Sequence, residues 1–468
     1  MKKLILIMFI VFALFLTFSL YRTLAYDTSV VEETSSTTDL EYTFKIGNSS
    51  IKQITVDSGE TKYYDVVLGN PNLSKISYSI YYEMVSPSTK PDGFSIGYTS
   101  KSTGESTGKV DKEGNITLNL VVTNTSSSAV TVKIGSVAGY VNGGELVLDN
   151  GQVLIPKKVK ASEYIMSLDD GTNGDSGSGV YKIHHDAISA DSSATGKIIE
   201  ETDDYRYYGA SPNNYICLDN STGTCEDRHL YRIIGSVYEE NAKTDLIKVI
   251  KATPITDGTT STFSWDYTSE GSYKNNWPTS TLMMLLNSGA WWSGTSGRYY
   301  NGDITATTVN FTNKGLTEIA QKMVNESLYY LGGWNASSIK ITEMYRHERG
   351  KTTYSGNALY WIGKVGLMYP SDYGYAAGYD CATDTNMNSY NSSCYQKDWL
   401  YNSSGFQWLM SPYSDYSNYA WPVNSNGNVN NIRGTNYIVL VSPVFYLTSD
   451  VSITSGTGTS SDPYLVTK

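Results

Sequence analysis

The chain has 468 residues, with 35 Lys+Arg against 46 Asp+Glu and a formal net charge of −11. That length suits two or three domains at about 150 residues each, and the acidic balance disfavours nucleic acid, whose phosphates need clustered Lys and Arg. A hydrophobic share of 40% with 13% aromatics, and a Tyr count of 40, excludes a largely disordered chain and suits wet contact surfaces.

Lys2 and Lys3 precede an apolar run from Leu4 to Leu20, interrupted only by Thr17 and Ser19. A positive segment followed by an apolar run is the mark of an export signal. At seventeen residues the run also reaches the lower limit of a membrane span. Thr23-Leu24-Ala25 offers small residues for cleavage just before Tyr26. Residues 1–25 therefore read as a signal peptide or an N-terminal membrane anchor, and either sends the remainder across the membrane. The expected location is extracellular, at the cell surface, with membrane contact only through this segment if it stays uncleaved. Residues 26–41, rich in Ser, Thr and Glu, read as a spacer.

From 42 to 160 short alternating runs follow one another: Tyr42–Ile46, Ile51–Val56, Lys62–Leu68, Ile76–Met84, Asn115–Val122, Val130–Ile134 and Glu145–Leu148. Turn signals such as Asp57-Ser58-Gly59 and Asn70-Pro71-Asn72 separate them. Strands at this spacing, without a helical stretch, predict an antiparallel β-sandwich. Residues 161–204 read as a short helix, Ala161–Leu168, followed by a flexible linker with a low-complexity stretch at Asp169–Gly179.

From 205 to 468 the pattern is that of one α+β domain. Tyr215–Leu218, His229–Val237 and Asp245–Ala252 predict strands. Pro278-Thr279-Ser280 opens a helix whose Leu282, Leu285 and Leu286 share a face, with Ser280 or Thr279 as its cap. A second helix is expected over Leu316–Tyr330, with Ile319, Met323, Val324 and Leu328 inward. Long Tyr/Gly/Asn/Ser stretches follow, then strands at Gln407–Met410, Tyr437–Val441 and Val444–Leu447. Trp408, Trp421 and Phe445 are assigned to the core.

Cys217 lies close to Cys225, and Cys381 close to Cys394. Four cysteines allow three connectivities. Local pairing would close two short loops, each adding about 2–3 kcal/mol in the chain-entropy model. The rival is a metal site, but neither pair has zinc-knuckle spacing, and exported proteins favour disulfides. No metal and no cofactor is expected.

Tyr231-Arg232-Ile233-Ile234-Gly235, then Asn276-Trp277 with Ser280, Leu282, Leu286 and Asn287, then Ser411-Pro412, Ala420-Trp421-Pro422-Val423 and Gly427 follow one order, closed by Ser442-Pro443-Val444-Phe445-Tyr446-Leu447. Over about 205–468 this order resembles an uncharacterised family of bacterial cell-surface domains related to C-type-lectin-like and formylglycine-generating-enzyme-like folds. The resemblance implies a small antiparallel sheet, two helices and a long-loop region, and no measured activity. The N-terminal sandwich is similar, in strand pattern alone, to fibre-forming bacterial surface subunits. The reactive cysteine pair of a formylglycine-generating enzyme is missing near the final strands, and so is the Glu-Pro-Asn triplet of a calcium-dependent lectin.

His184, His185, His229 and His347 form no metal or catalytic motif, and no nucleophile elbow, phosphate loop or dinucleotide fingerprint occurs. The most informative stretch runs from Ser411 to Tyr437. Its Tyr413, Tyr416, Tyr419, Asn424, Asn426, Asn428, Asn431, Arg433, Asn436 and Tyr437 have the composition of a contact surface, with rigid rings beside adaptable amides. The expected function is a non-catalytic, exported binding or adhesion protein whose partner is a glycan or a protein. The alternatives are a structural subunit of a surface fibre, and an extracellular hydrolase using two facing carboxylates.

Overall fold

The computed structural model describes residues 40–468 apart from 48–52, 92, 100–101, 125, 142–145, 170, 173, 175–176, 222–223, 337, 391 and 431. The apolar run and all but the end of the spacer lie outside the described residues. Among the described residues no helix is long and apolar enough to cross a membrane. The chain is β-rich and divides into two compact units, 1–159 and 160–468.

The first unit is a sandwich of two antiparallel sheets. One runs in the order Thr43–Ile46, Glu60–Gly69, Asn115–Asn124, Phe94–Tyr98. The other runs Gln53–Val56, Val130–Tyr140, Ile76–Ser86, Thr107–Val110, with Val153–Leu154 added to Ile76–Ser86. Period-two alternation builds it. Ile116, Leu118, Leu120 and Val122 leave one strand on one face and join Val66, Leu68, Ile80, Val132 and Ile134 in a single buried cluster. Among the described residues, Phe94–Tyr98, Thr107–Val110 and Val153–Leu154 escaped the sequence pattern. Phe94–Tyr98 is buried at every position, so it shows no alternation. Thr107–Val110 is short and mostly exposed. The strand expected at Glu145–Leu148 does not form over its described residues. Val153 and Leu154 instead pair with Tyr82 and Tyr81.

In the second unit the main sheet runs Ser452–Ser455, Tyr464–Thr467, Tyr215–Cys217, Leu230–Glu239, Thr244–Lys251, Val444–Tyr446, Val365–Gly366. Tyr464–Thr467 pairs parallel with Tyr215–Cys217, and the other neighbours are antiparallel. Thr202–Tyr208 branches from Leu230–Glu239 and pairs in turn with Gly179–His185. At this branch Gly235 is required, because a Cβ there would lie 2.4 Å from the Tyr205 carbonyl oxygen.

The stretch 161–204, read above as helix and linker, belongs to this unit. Ala161–Met166 is helical, and its Ala161 and Ile165 enter the core that holds Ile233 and Val249. Gly179–His185 is a strand whose outward Lys182 and His184 both bond Asp203 across the ladder, at 2.8 and 2.9 Å. Those outward polar residues made it look like linker. The first predicted helix is present as Thr281–Asn287, capped by Ser280, which accepts from the Met283 amide, with Leu282, Leu285 and Leu286 buried. The second is shorter than expected. Glu318–Met323 is helical, Ile319 is exposed, and Ser327–Tyr330 is a strand paired with Tyr360–Gly363. That partner is thirty residues away, so local periodicity could not announce it. Two further helices, Ile341–Glu348 and Pro370–Tyr375, pack on each other.

Cys217 bonds Cys225 and Cys381 bonds Cys394. Replacing Cys381 and Cys394 together by Ser should lower the unfolding free energy by about 2–3 kcal/mol. Urea midpoints of wild type and variant without reductant check this.

Candidate functional site

Gln407–Pro412 and Tyr419–Val423 are antiparallel neighbours with Arg433–Gly434 beyond them, and the loop 413–418 joins the first two. Its base is rigid. Trp408 is buried and donates its ring N–H to the Phe263 carbonyl at 2.9 Å. Trp421 stacks on Trp334 with ring centres 4.5 Å apart and planes parallel, and its ring N–H reaches the Trp334 carbonyl.

One side chain shapes the loop. The two N–H hydrogens of the buried Asn275 amide are shared among the carbonyls of Tyr413, Tyr416 and Tyr419, with the nitrogen at 2.9, 2.8 and 2.7 Å, and its backbone N–H donates to the Ser417 carbonyl. Asn357 in turn donates to the Asn275 side-chain oxygen at 2.7 Å. With its backbone fixed, the loop presents a ring cluster. Tyr413 and Tyr416 are stacked at 5.7 Å with planes 11° apart, Tyr419 meets Tyr416 edge-on at 5.7 Å, and Tyr413 leans on Trp421. Tyr416 is 56% exposed. Beside it, the exposed Asp415 carboxylate accepts from the Asn335 amide at 2.9 and 3.0 Å. Desolvation, with Asp415 nearby, raises the Tyr413 phenol above its ordinary value.

The remaining predicted residues divide. Arg433 lies over the Phe406 ring at 4.5 Å and faces the exposed Tyr437, with Asn436 half-buried beside them. Asn426 is exposed and its side chain accepts from the Asn428 amide. Asn424 corrects the expectation: it is 2% exposed and donates inward to Asn430, so it shapes a turn and offers no contact surface. Asn428 is half-buried in that same turn, which closes at Gly427, where a Cβ would lie 2.5 Å from Tyr395. Asn431 lies outside the described residues. Asn275, Asn335 and Trp334 were missed. They stand 78 or more positions from the loop they serve, and Asn275 is one residue away from the Asn276-Trp277 motif.

A second cluster of titratable groups is wholly buried. Arg206, on Thr202–Tyr208, donates to Asp204 at 2.8 Å and to Asp372 at 2.7 Å. Lys248, on Thr244–Lys251, donates to the other Asp372 oxygen at 2.6 Å. Burial alone would raise the Asp372 carboxyl, but Lys248 and Arg206 hold it below the usual range. His185 meets Asp204 at 3.0 Å and stacks on Tyr345, and Arg349 lies over the same ring. Perturbed carboxyls mark active-site candidates, yet these are consumed by their cations. Glu348 differs: burial pushes its carboxyl up, against Arg349 and two bonds from Ser371.

Asp372→Ala should cost about 3–5 kcal/mol, because Arg206 and Lys248 would stay buried with a partner gone. Equilibrium urea unfolding measures it. Glu348 is protonated more readily folded than unfolded, so its stabilising contribution is complete below the ordinary value of about 4.3 and is lost as pH rises toward its raised value. The stability of Glu348→Gln relative to wild type should therefore improve between about pH 5 and about pH 8. Melting temperatures of both proteins at the two pH values test this.

No family model and no curated protein matches the chain. A solved ASH/PapD-like domain of human CEP192 (PapD-like domain 7) aligns at 14% identity, covering 25% of this chain and 98% of that domain, with a TM-score of 0.14. A likeness that slight carries no argument about fold or function.

Proposed function

We propose that this protein is an exported, surface-displayed binding protein, with the β-sandwich as stalk and the second unit as a C-type-lectin-like head that contacts a glycan or protein. The charged-then-apolar N-terminal segment supports export, and the two disulfides fit an oxidising compartment. The motif order from Tyr231 to Leu447 supports the lectin-like reading of the head.

The observation that carries the binding reading is the Tyr413–Tyr416–Tyr419 cluster. The Tyr416 ring is left 56% open to water, yet it is held on two sides by Tyr413 and Tyr419 and its backbone carbonyl is gripped by a buried amide. Such a ring is ordered before any partner arrives, and prior ordering lowers the entropic cost of association. Contact residues belong on loops held by a rigid frame, and the Trp334–Trp421 stack supplies one.

Wild-type full-length chain and Tyr416→Ala should be compared on glycan and protein arrays. Signal is expected for wild type, with most of it lost in the variant. Silence from both arrays with a folded protein overturns the reading.

A further inference from the structure

We infer that the Tyr416 ring and the Asp415–Asn335 pair together form a subsite for a neutral saccharide. This rests on the binding reading above and narrows its ligand to one chemical class. A pyranose combines two surfaces: a face of weakly positive C–H groups and a rim of hydroxyls. The face of an aromatic ring carries the negative end of its quadrupole and attracts such C–H groups. Tyr416 provides that ring, braced by Tyr413 at 5.7 Å and open to solvent.

The rim needs acceptors and donors within reach of the ring. Asp415, adjacent in sequence, is exposed, and both its oxygens accept from one Asn335 amide group. An ionised carboxylate offers about four acceptor sites, so capacity is left for sugar hydroxyls. Asn335, also exposed, adds a carboxamide oxygen. A carboxylate locked to an amide keeps its orientation, and hydrogen bonds to charged groups are among the stronger ones.

Charge selects within the class. Between Ser411 and Tyr437 the ionic residues are Asp415 and Arg433, and Arg433 is engaged over Phe406 and Tyr437. Asp415 puts a negative charge next to Tyr416 in the chain, which disfavours acidic sugars relative to uncharged ones.

The test is saturation-transfer NMR on the full-length chain with methyl glycosides of glucose, galactose, mannose and N-acetylglucosamine, and with glucuronate. At least one neutral glycoside should receive saturation at its ring C–H protons, and glucuronate should receive less. Tyr416→Ala should weaken that binding about tenfold, and Asp415→Ala should weaken it too, both with far-ultraviolet circular dichroism unchanged. Transfer to no neutral glycoside, equal transfer to glucuronate, or an unaltered Tyr416→Ala overturns the subsite. Protein-array signal that Tyr416→Ala removes, without saccharide binding, overturns the subsite and leaves the binding reading standing. Silence on every array as well overturns both.

Discussion

Arg206 bonded on one side to Asp204 and on the other to Asp372, with Lys248 completing Asp372, is the interaction on which the second unit depends. The groups come from the strand Thr202–Tyr208, the strand Thr244–Lys251 and the helix Pro370–Tyr375, and His185 adds a fourth element. Desolvating charges is costly, and a hydrophobic replacement of equal shape often does as well for stability. What ions give is discrimination. An apolar core tolerates small shifts, but a carboxylate seated between a guanidinium and an ammonium has one acceptable position. The cluster therefore fixes how three segments far apart in the chain meet.

The loop 413–419 follows the same logic with neutral groups. One buried carboxamide replaces a stretch of ladder by gathering three carbonyls. Backbone acceptors that irregular structure would leave to water are satisfied from within. The side chains are then free to face outward. Rigid base and open rings are two results of one arrangement.

Much of the architecture was legible in the sequence. Alternation located most strands of the sandwich, because one face of each strand is dry and the other wet. The leucines at 282, 285 and 286 with Ser280 announced their helix. Legibility failed where burial lost its period, as in Phe94–Tyr98, and where outward charges mimicked linker, as in Gly179–His185. It failed again at Ser327–Tyr330, whose strand character comes from a distant partner. At the candidate site, composition singled out Tyr416 and Tyr437, but amide-rich composition could not separate the buried Asn424 from the exposed Asn426. Asn275 and the charge cluster had no local signal, since each is defined by partners on other elements.

The parallel pairing of Tyr464–Thr467 with Tyr215–Cys217 bears on how the molecule assembles. Ile216 and Tyr464 are register partners 248 positions apart, and the later strand lies inside the sheet order, between Ser452–Ser455 and Tyr215–Cys217. Closing so long a loop delays the reward for it, and folds dominated by such contacts form slowly. During synthesis, Tyr215–Cys217 waits with one edge bare until the ribosome has released the other strand. An unpaired edge is a template for wrong partners. The nascent chain therefore carries an interval of vulnerability that only its late residues end.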